Sequence, residues 1–174
     1  MRITPLIWIT CTVLLLSLPS CVKYSGDAKG EVELYLLESY ENLDQSCAID
    51  EASVEIRKHP LIRYSDFISY NSEKHIFTIS DEAAEAVKDL EHSVHGLPFA
   101  VIANEELVYT GYFWPSFSSA MCQWIVIDPP MIFGDNELRV ELGYPGQIEG
   151  VEIPDERNNE VILDIFRRDN KLIE

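Results

Sequence analysis

Two short stretches concentrate the side chains that can do chemistry. Glu91, His92 and His95 stand together in "LEHSVHG", and the histidines, at i and i+3, share one side of a helix end within reach of a common metal ion. A third ligand at a fixed spacing is missing, and histidines there equally suit the negative pole of a helix terminus. The second stretch, "GYFWPSFSSAMCQW", gathers Tyr112, Phe113, Trp114, Phe117 and Trp124 around Ser118, Ser119 and Cys122. Pro115 and the serines suit a loop with two readings. Either it presents aromatic faces, with Tyr112, Trp114 and Phe117 as binding residues for a peptide or sugar, or it folds its rings inward as a lid on the core. Neither serine stands in a GxSxG elbow. No CxxC or Cys/His spacing marks zinc, and no DxDxDG loop marks calcium. The sequence therefore assembles no catalytic set and implies no cofactor or metal.

The elements that must position these residues follow a leader. Ile3 to Leu18 is uncharged and mostly apolar, follows Arg2, and ends at "LPSC", Leu18 to Cys21. A positive start, an apolar centre and a small residue before the cut make a secretory signal. As a helix this segment reaches about 24 Å at 1.5 Å per residue, short of the ~30 Å hydrocarbon layer. "LPSC" resembles the bacterial lipobox, in which Leu stands three positions before an acylated Cys and a small residue directly precedes it. Pro19 is a less usual occupant of that motif. The resemblance implies cleavage between Ser20 and Cys21, and a Cys21 that carries diacylglycerol and an acylated amino group. Residues 1–20 are then signal peptide, 21–30 a lipidated tether, and 31–174 a single domain. Its address is the cell envelope, outside the cytoplasm and anchored to a membrane by lipid. With Cys11 in the leader and Cys21 acylated, Cys47 and Cys122 remain in an oxidising compartment. They form either a disulfide or two separate buried thiols.

At 174 residues the chain is the size of one domain. Its 47% hydrophobic and 10% aromatic content supports a packed core rather than disorder. With 13 Lys+Arg against 30 Asp+Glu, the formal charge of -17 repels phosphate backbones, so nucleic acid is not expected as a partner.

The periodicity predicts a strand over about Val32 to Glu38. It then gives a turn-rich loop to Ser53, short strands near Phe67 to Tyr70 and His75 to Ile79, and a helix from Asp81 to about Glu91 capped by Ser80. A hairpin follows, Phe99 to Ala103 against Val108 to Phe113, with further strands at "QWIVID" and "ELRVELGYPG". A last helix within "ERNNEVILDIFRRDN" is expected to take Asp155 as its cap. "LGYPG" reads as a shaped turn, and Asp155 with Arg157 can pair or cap. The pattern is an α+β domain, a mainly antiparallel sheet with one to two helices on one face.

Ser65 to Phe113 resembles the periplasmic head of the protein-export membrane protein SecD. The matching positions are Asp66-Phe67, Ile76 to Ile79, Ser80 to Leu90, Gly96, Phe99 to Ala103 and Val108 to Tyr112. The resemblance covers 49 of 174 residues and implies the fold of a partner-contacting head without transport activity. Two functions are then in play. One is a lipid-anchored extracytoplasmic module that binds an envelope protein or polymer. The alternative is an envelope hydrolase whose active site converges only in three dimensions, with His75 or His92 beside a nucleophile.

Overall fold

The computed structural model describes residues 30–43, 47–91, 93–129 and 136–174. The leader, Cys21, the tether up to residue 29 and His92 lie outside these residues. The described chain runs β1 (Val32–Ser39), β2 (Glu55–Ile56), β3 (Phe67–Asn71), β4 (Ile76–Ile79), α1 (Asp81–Lys88), β5 (Leu97–Ala103), β6 (Glu106–Phe113), β7 (Cys122–Ile127), β8 (Glu137–Tyr144), α2 (Glu160–Arg168) and β9 (Leu172–Ile173). All described strands join one nine-stranded sheet in the order β2-β1-β5-β6-β7-β8-β4-β3-β9.

The α+β class is as the sequence predicts, but the sheet is mixed. Pairs β6·β7 and β3·β9 are parallel, and the other neighbours are antiparallel. The β5–β6 hairpin turns at Asn104 and Glu105, both at positive φ (55° and 67°), as a tight hairpin between twisted strands requires. Gly111 sits mid-strand in β6 because a Cβ there would meet Phe99 Cζ at 2.6 Å and the Ile125 carbonyl oxygen at 2.8 Å.

Both helices are shorter than the sequence predicts. α1 begins where expected, with the Ser80 side chain accepting from the Ala83 N–H, but it ends at Lys88, so His95 lies in a turn beyond it. α2 starts at Glu160 with Asn159 as its cap. Asp155 is not that cap: both its carboxylate oxygens are taken by Arg157, whose Nε and guanidinium nitrogen lie 2.8 and 2.7 Å away.

α2 turns Ile162, Ile165 and Phe166 inward. Phe166 closes an aromatic cluster with Tyr64, Phe67, Tyr70 and Phe77, at centroid distances of 5.7, 5.9, 5.7 and 5.7 Å. The far ends of the strand order also meet, since Leu34 of β1 bridges to Ile62, just ahead of β3, and an Arg168 guanidinium nitrogen donates to the Gly30 carbonyl. Among the described residues no helix is long and apolar enough to cross a membrane.

Candidate functional site

β6 delivers Tyr112, Phe113 and then Trp114 in succession. Side chains alternate between the faces of a strand. Phe113 therefore joins Phe99 on one face, with centroids 5.1 Å apart, while Tyr112 and Trp114 share the other, edge to face at 5.9 Å and 84°. The Trp114 N–H extends the β6–β7 ladder by donating to the Ile127 carbonyl at 2.8 Å. Gly96, at φ +77°, lets the indole approach, because a Cβ there would lie 2.6 Å from Trp114 Cε3 and 3.1 Å from Cζ3. Those atoms belong to the benzo edge. Nε1 is on the opposite edge of the ring. It is buried and has no hydrogen-bond partner among the described residues.

The segment following β1 covers the Tyr112 face. A disulfide joins Cys47 to Cys122 at the start of β7, with Cα atoms 5.7 Å apart, inside the range such a bond spans. Tyr40 packs edge to face on Tyr112 at 6.0 Å, and the Tyr112 hydroxyl donates to Asn42 Oδ1 at 3.0 Å. Burial, with the Tyr40 hydroxyl nearby, pushes the Tyr112 phenol well above its ordinary pKa. Deeper in, Trp124 Nε1 donates to the Thr110 hydroxyl at 3.0 Å, and that hydroxyl donates to Glu51 at 3.4 Å. Burial raises the pKa of Glu51.

The loop reading of the aromatic stretch is thereby corrected for two of its three residues. Tyr112 and Trp114 are buried, Trp114 at 4% exposure, while Phe117 stands out at 65%. The Ser118 hydroxyl donates to the Val94 carbonyl at 2.7 Å and holds this loop on the turn before β5, so Phe117, Met121 and Val94 form an exposed apolar rim.

Two hollows flank the Trp114 indole. One, of about 360 Å³, is lined by Tyr40, Tyr112, Cys47, His95 and Met121. The other, of about 230 Å³, is lined by Tyr144, Arg139, Glu141, Asp128 and Val126. Register explains the second set: Glu141 pairs with Val126, and Val126 with Tyr112, so all three point to the same face, as does Arg139 two residues before Glu141. The Tyr144 hydroxyl closes this niche by donating to the Ser116 carbonyl at 2.6 Å, and Asp128 accepts from the Ser116 N–H at 3.3 Å.

The histidines do not meet there. His75 stands in the turn just before β4 at φ 54°, with Nδ1 3.5 Å from the Tyr70 hydroxyl, which itself donates to the Arg157 carbonyl at 2.7 Å. Burial, reinforced by Arg157, lowers the His75 pKa, and the hydrogen bonds from Arg157 lower that of Asp155. With Arg157 also donating to the Val140 carbonyl at 3.2 Å, these groups strap the segment before α2 to the sheet. No serine or cysteine hydroxyl or thiol bonds to His75 among the described residues. His59 and His95 are exposed. Among the described residues no group of three or more His, Cys, Asp or Glu side chains is placed to hold a metal.

Arg139, Glu141, Asp128 and Tyr144 were not singled out from the sequence. The only signals were the alternation of "ELRVELG", which reads as a solvated strand face, and the turn that follows it. No protein-family model matches the chain, and neither the curated proteins nor the solved structures give a significant match.

Proposed function

We propose that this protein is a lipid-anchored, extracytoplasmic binding module that holds an envelope partner against the Trp114 face of its sheet. The observation that carries this reading is the position of that face relative to the tether. Glu31 enters beside the β5–β6 turn, its carbonyl accepting from the Asn104 N–H at 3.0 Å, whereas Trp114 lies beyond the other end of β6. The eight residues of β6 separate the two by about 26 Å at ~3.3 Å per residue. A domain attached through Cys21 and residues 22–30 thus carries its aromatic hollows and the Phe117 rim at the end of β6 farther from its attachment. In this reading α2 covers the sheet face that carries Phe77, and the part of the opposite face around Trp114 that the segment following β1 leaves uncovered is the working surface. The likeness of Ser65 to Phe113 to a partner-contacting export head accords with it, since those residues supply β3 to β6.

Two measurements test the reading. Cys21→Ala is expected to abolish incorporation of labelled palmitate and to release the protein from the membrane fraction; unchanged membrane association would overturn the anchor. A photo-crosslinking residue at position 117 is expected to capture one defined envelope component, and a control on exposed Glu82 of α1 is not. Equal, non-selective capture from both positions would overturn the assignment of the face.

A further inference from the structure

The niche between Trp114 and Tyr144 offers a ligand an unusual mixture. The Arg139 guanidinium has no hydrogen bond or ion pair among the described residues, although it stands in a chain of formal charge -17. Glu141, on the same strand face, is likewise unpaired among the described residues. Asp128 faces the same hollow, and the rings of Trp114 and Tyr144 with the Val126 side chain make its apolar surface.

Charge then selects the occupant. An anion gains Arg139 but faces Glu141, Asp128 and the field of an acidic protein. A cation gains the carboxylates but meets the guanidinium. An apolar group leaves Arg139 and Glu141 without partners as it drives water out. A neutral polyol meets every requirement: its hydroxyls donate to Glu141 and Asp128 and accept from Arg139, and its C–H face packs on the aromatic rings. A peptide backbone is also neutral, but extended peptides add to a sheet edge and polyproline segments dock along an aromatic groove several residues long, whereas this hollow on the face of β7 and β8 is small. The volume of about 230 Å³ lies below the roughly 300–1,000 Å³ of drug-sized sites, which limits the occupant to one or two small rings.

On the reading of the protein as an envelope-binding module, we propose that this niche binds a neutral sugar residue of an envelope polysaccharide. Arg139 and Glu141 fix its hydroxyls, and Trp114 and Tyr144 hold its apolar face.

The experiment titrates the full acylated protein in detergent with chitotetraose, which carries amides, and with maltotetraose, which carries only hydroxyls. Tryptophan fluorescence and calorimetry report binding. At least one sugar is expected to bind, at least tenfold more weakly to Arg139→Gln and to Glu141→Gln, with unchanged thermal melts. Glu82→Gln, on the exposed side of α1, is expected to leave the affinity unchanged. Sugar binding that is indifferent to both charge variants would place the site elsewhere and overturn the proposal. So would a lysine-rich peptide that binds more tightly to Arg139→Gln and more weakly to Glu141→Gln, because that pattern belongs to a cation site. Absence of sugar binding alongside selective crosslinking at position 117 would overturn the sugar assignment and leave the binding-module reading standing. Failure of both would overturn both.

Discussion

The two aromatic regions of this molecule use the same residue types to opposite ends. Around Phe166, five rings from α2, β3, β4 and the turn before β3 close on one another. The polar atoms at their margin are spent internally: the Tyr64 hydroxyl donates to Asp169 at 2.8 Å and the Tyr70 hydroxyl to the Arg157 carbonyl. Around Trp114, the rings line hollows, the indole N–H has no partner among the described residues, and Arg139 and Glu141 are unpaired among them. Aromatic density alone therefore does not separate a core from a recognition surface. What separates them is that, among the described residues, the closed cluster leaves no hollow and no unpaired charge at its margin, whereas beside Trp114 the rings line an open niche with Arg139 and Glu141 unpaired among them.

The largest effect should fall on the closed cluster. Phe166 is fully buried, and Phe166→Ala is expected to cost about 3–5 kcal/mol, the usual range for deleting a buried aromatic ring, read as a shift of the denaturant midpoint. A loss below about 1 kcal/mol would mean that the cluster is not the mechanical centre of the domain and would remove one side of the contrast.

The disulfide comes next and acts on the open side. Cys47 and Cys122 are 75 residues apart, and removing a native crosslink of this kind costs about 2–5 kcal/mol, chiefly by freeing the unfolded chain. Intact-mass analysis of the purified protein, before and after reduction, should show a two-proton difference per molecule. In the paired Cys47→Ala, Cys122→Ala variant, hydrogen exchange should rise in residues 47–56 ahead of Tyr70 to Phe77. Uniform acceleration across both regions would show that they are not independently held, and the comparison would have to be redrawn.

How legible all this was in the sequence depends on the element. β5, β6 and the start of α1 could be read because their signals are local: a capping serine, a turn at Asn104-Glu105, and continuous apolar runs. The parallel pairing of β6 with β7 could not. Parallel neighbours ordinarily need a crossover of a dozen or more residues, and here residues 114–121 suffice, so "QWIVID" gives no hint of its direction. The start of α2 was misplaced because Asp155 and Asn159 are both competent caps, and only the contact of Asp155 with Arg157 decides between them. The niche was illegible for the same reason as the parallel pair. Arg139 and Glu141 look like solvated strand positions until the β7–β8 register brings them opposite Val126, on the face of Trp114.

The smallest expected effect lies at the margin of the closed cluster, where the comparison can be sharpened by pH. His75 is held below the ordinary histidine value of 6.5, first by burial and then by Arg157, so the folded state prefers the neutral ring. The stability this confers is complete above pH 6.5, where the unfolded chain is neutral as well. It is lost as pH falls through 6.5 towards the lower folded-state value, because the unfolded chain takes up a proton that the folded one resists. Denaturant midpoints should therefore decline between pH 7 and pH 5. His75→Asn should flatten that decline by as much as one proton's worth of slope, since asparagine tolerates the φ of 54° and does not titrate. An unaltered slope would mean that another group carries the acid sensitivity. A flattened slope with unchanged sugar affinity at both pH values would show that the strap at His75 and the niche at Arg139 answer to different parts of the chain, one to its own packing and the other to what it holds.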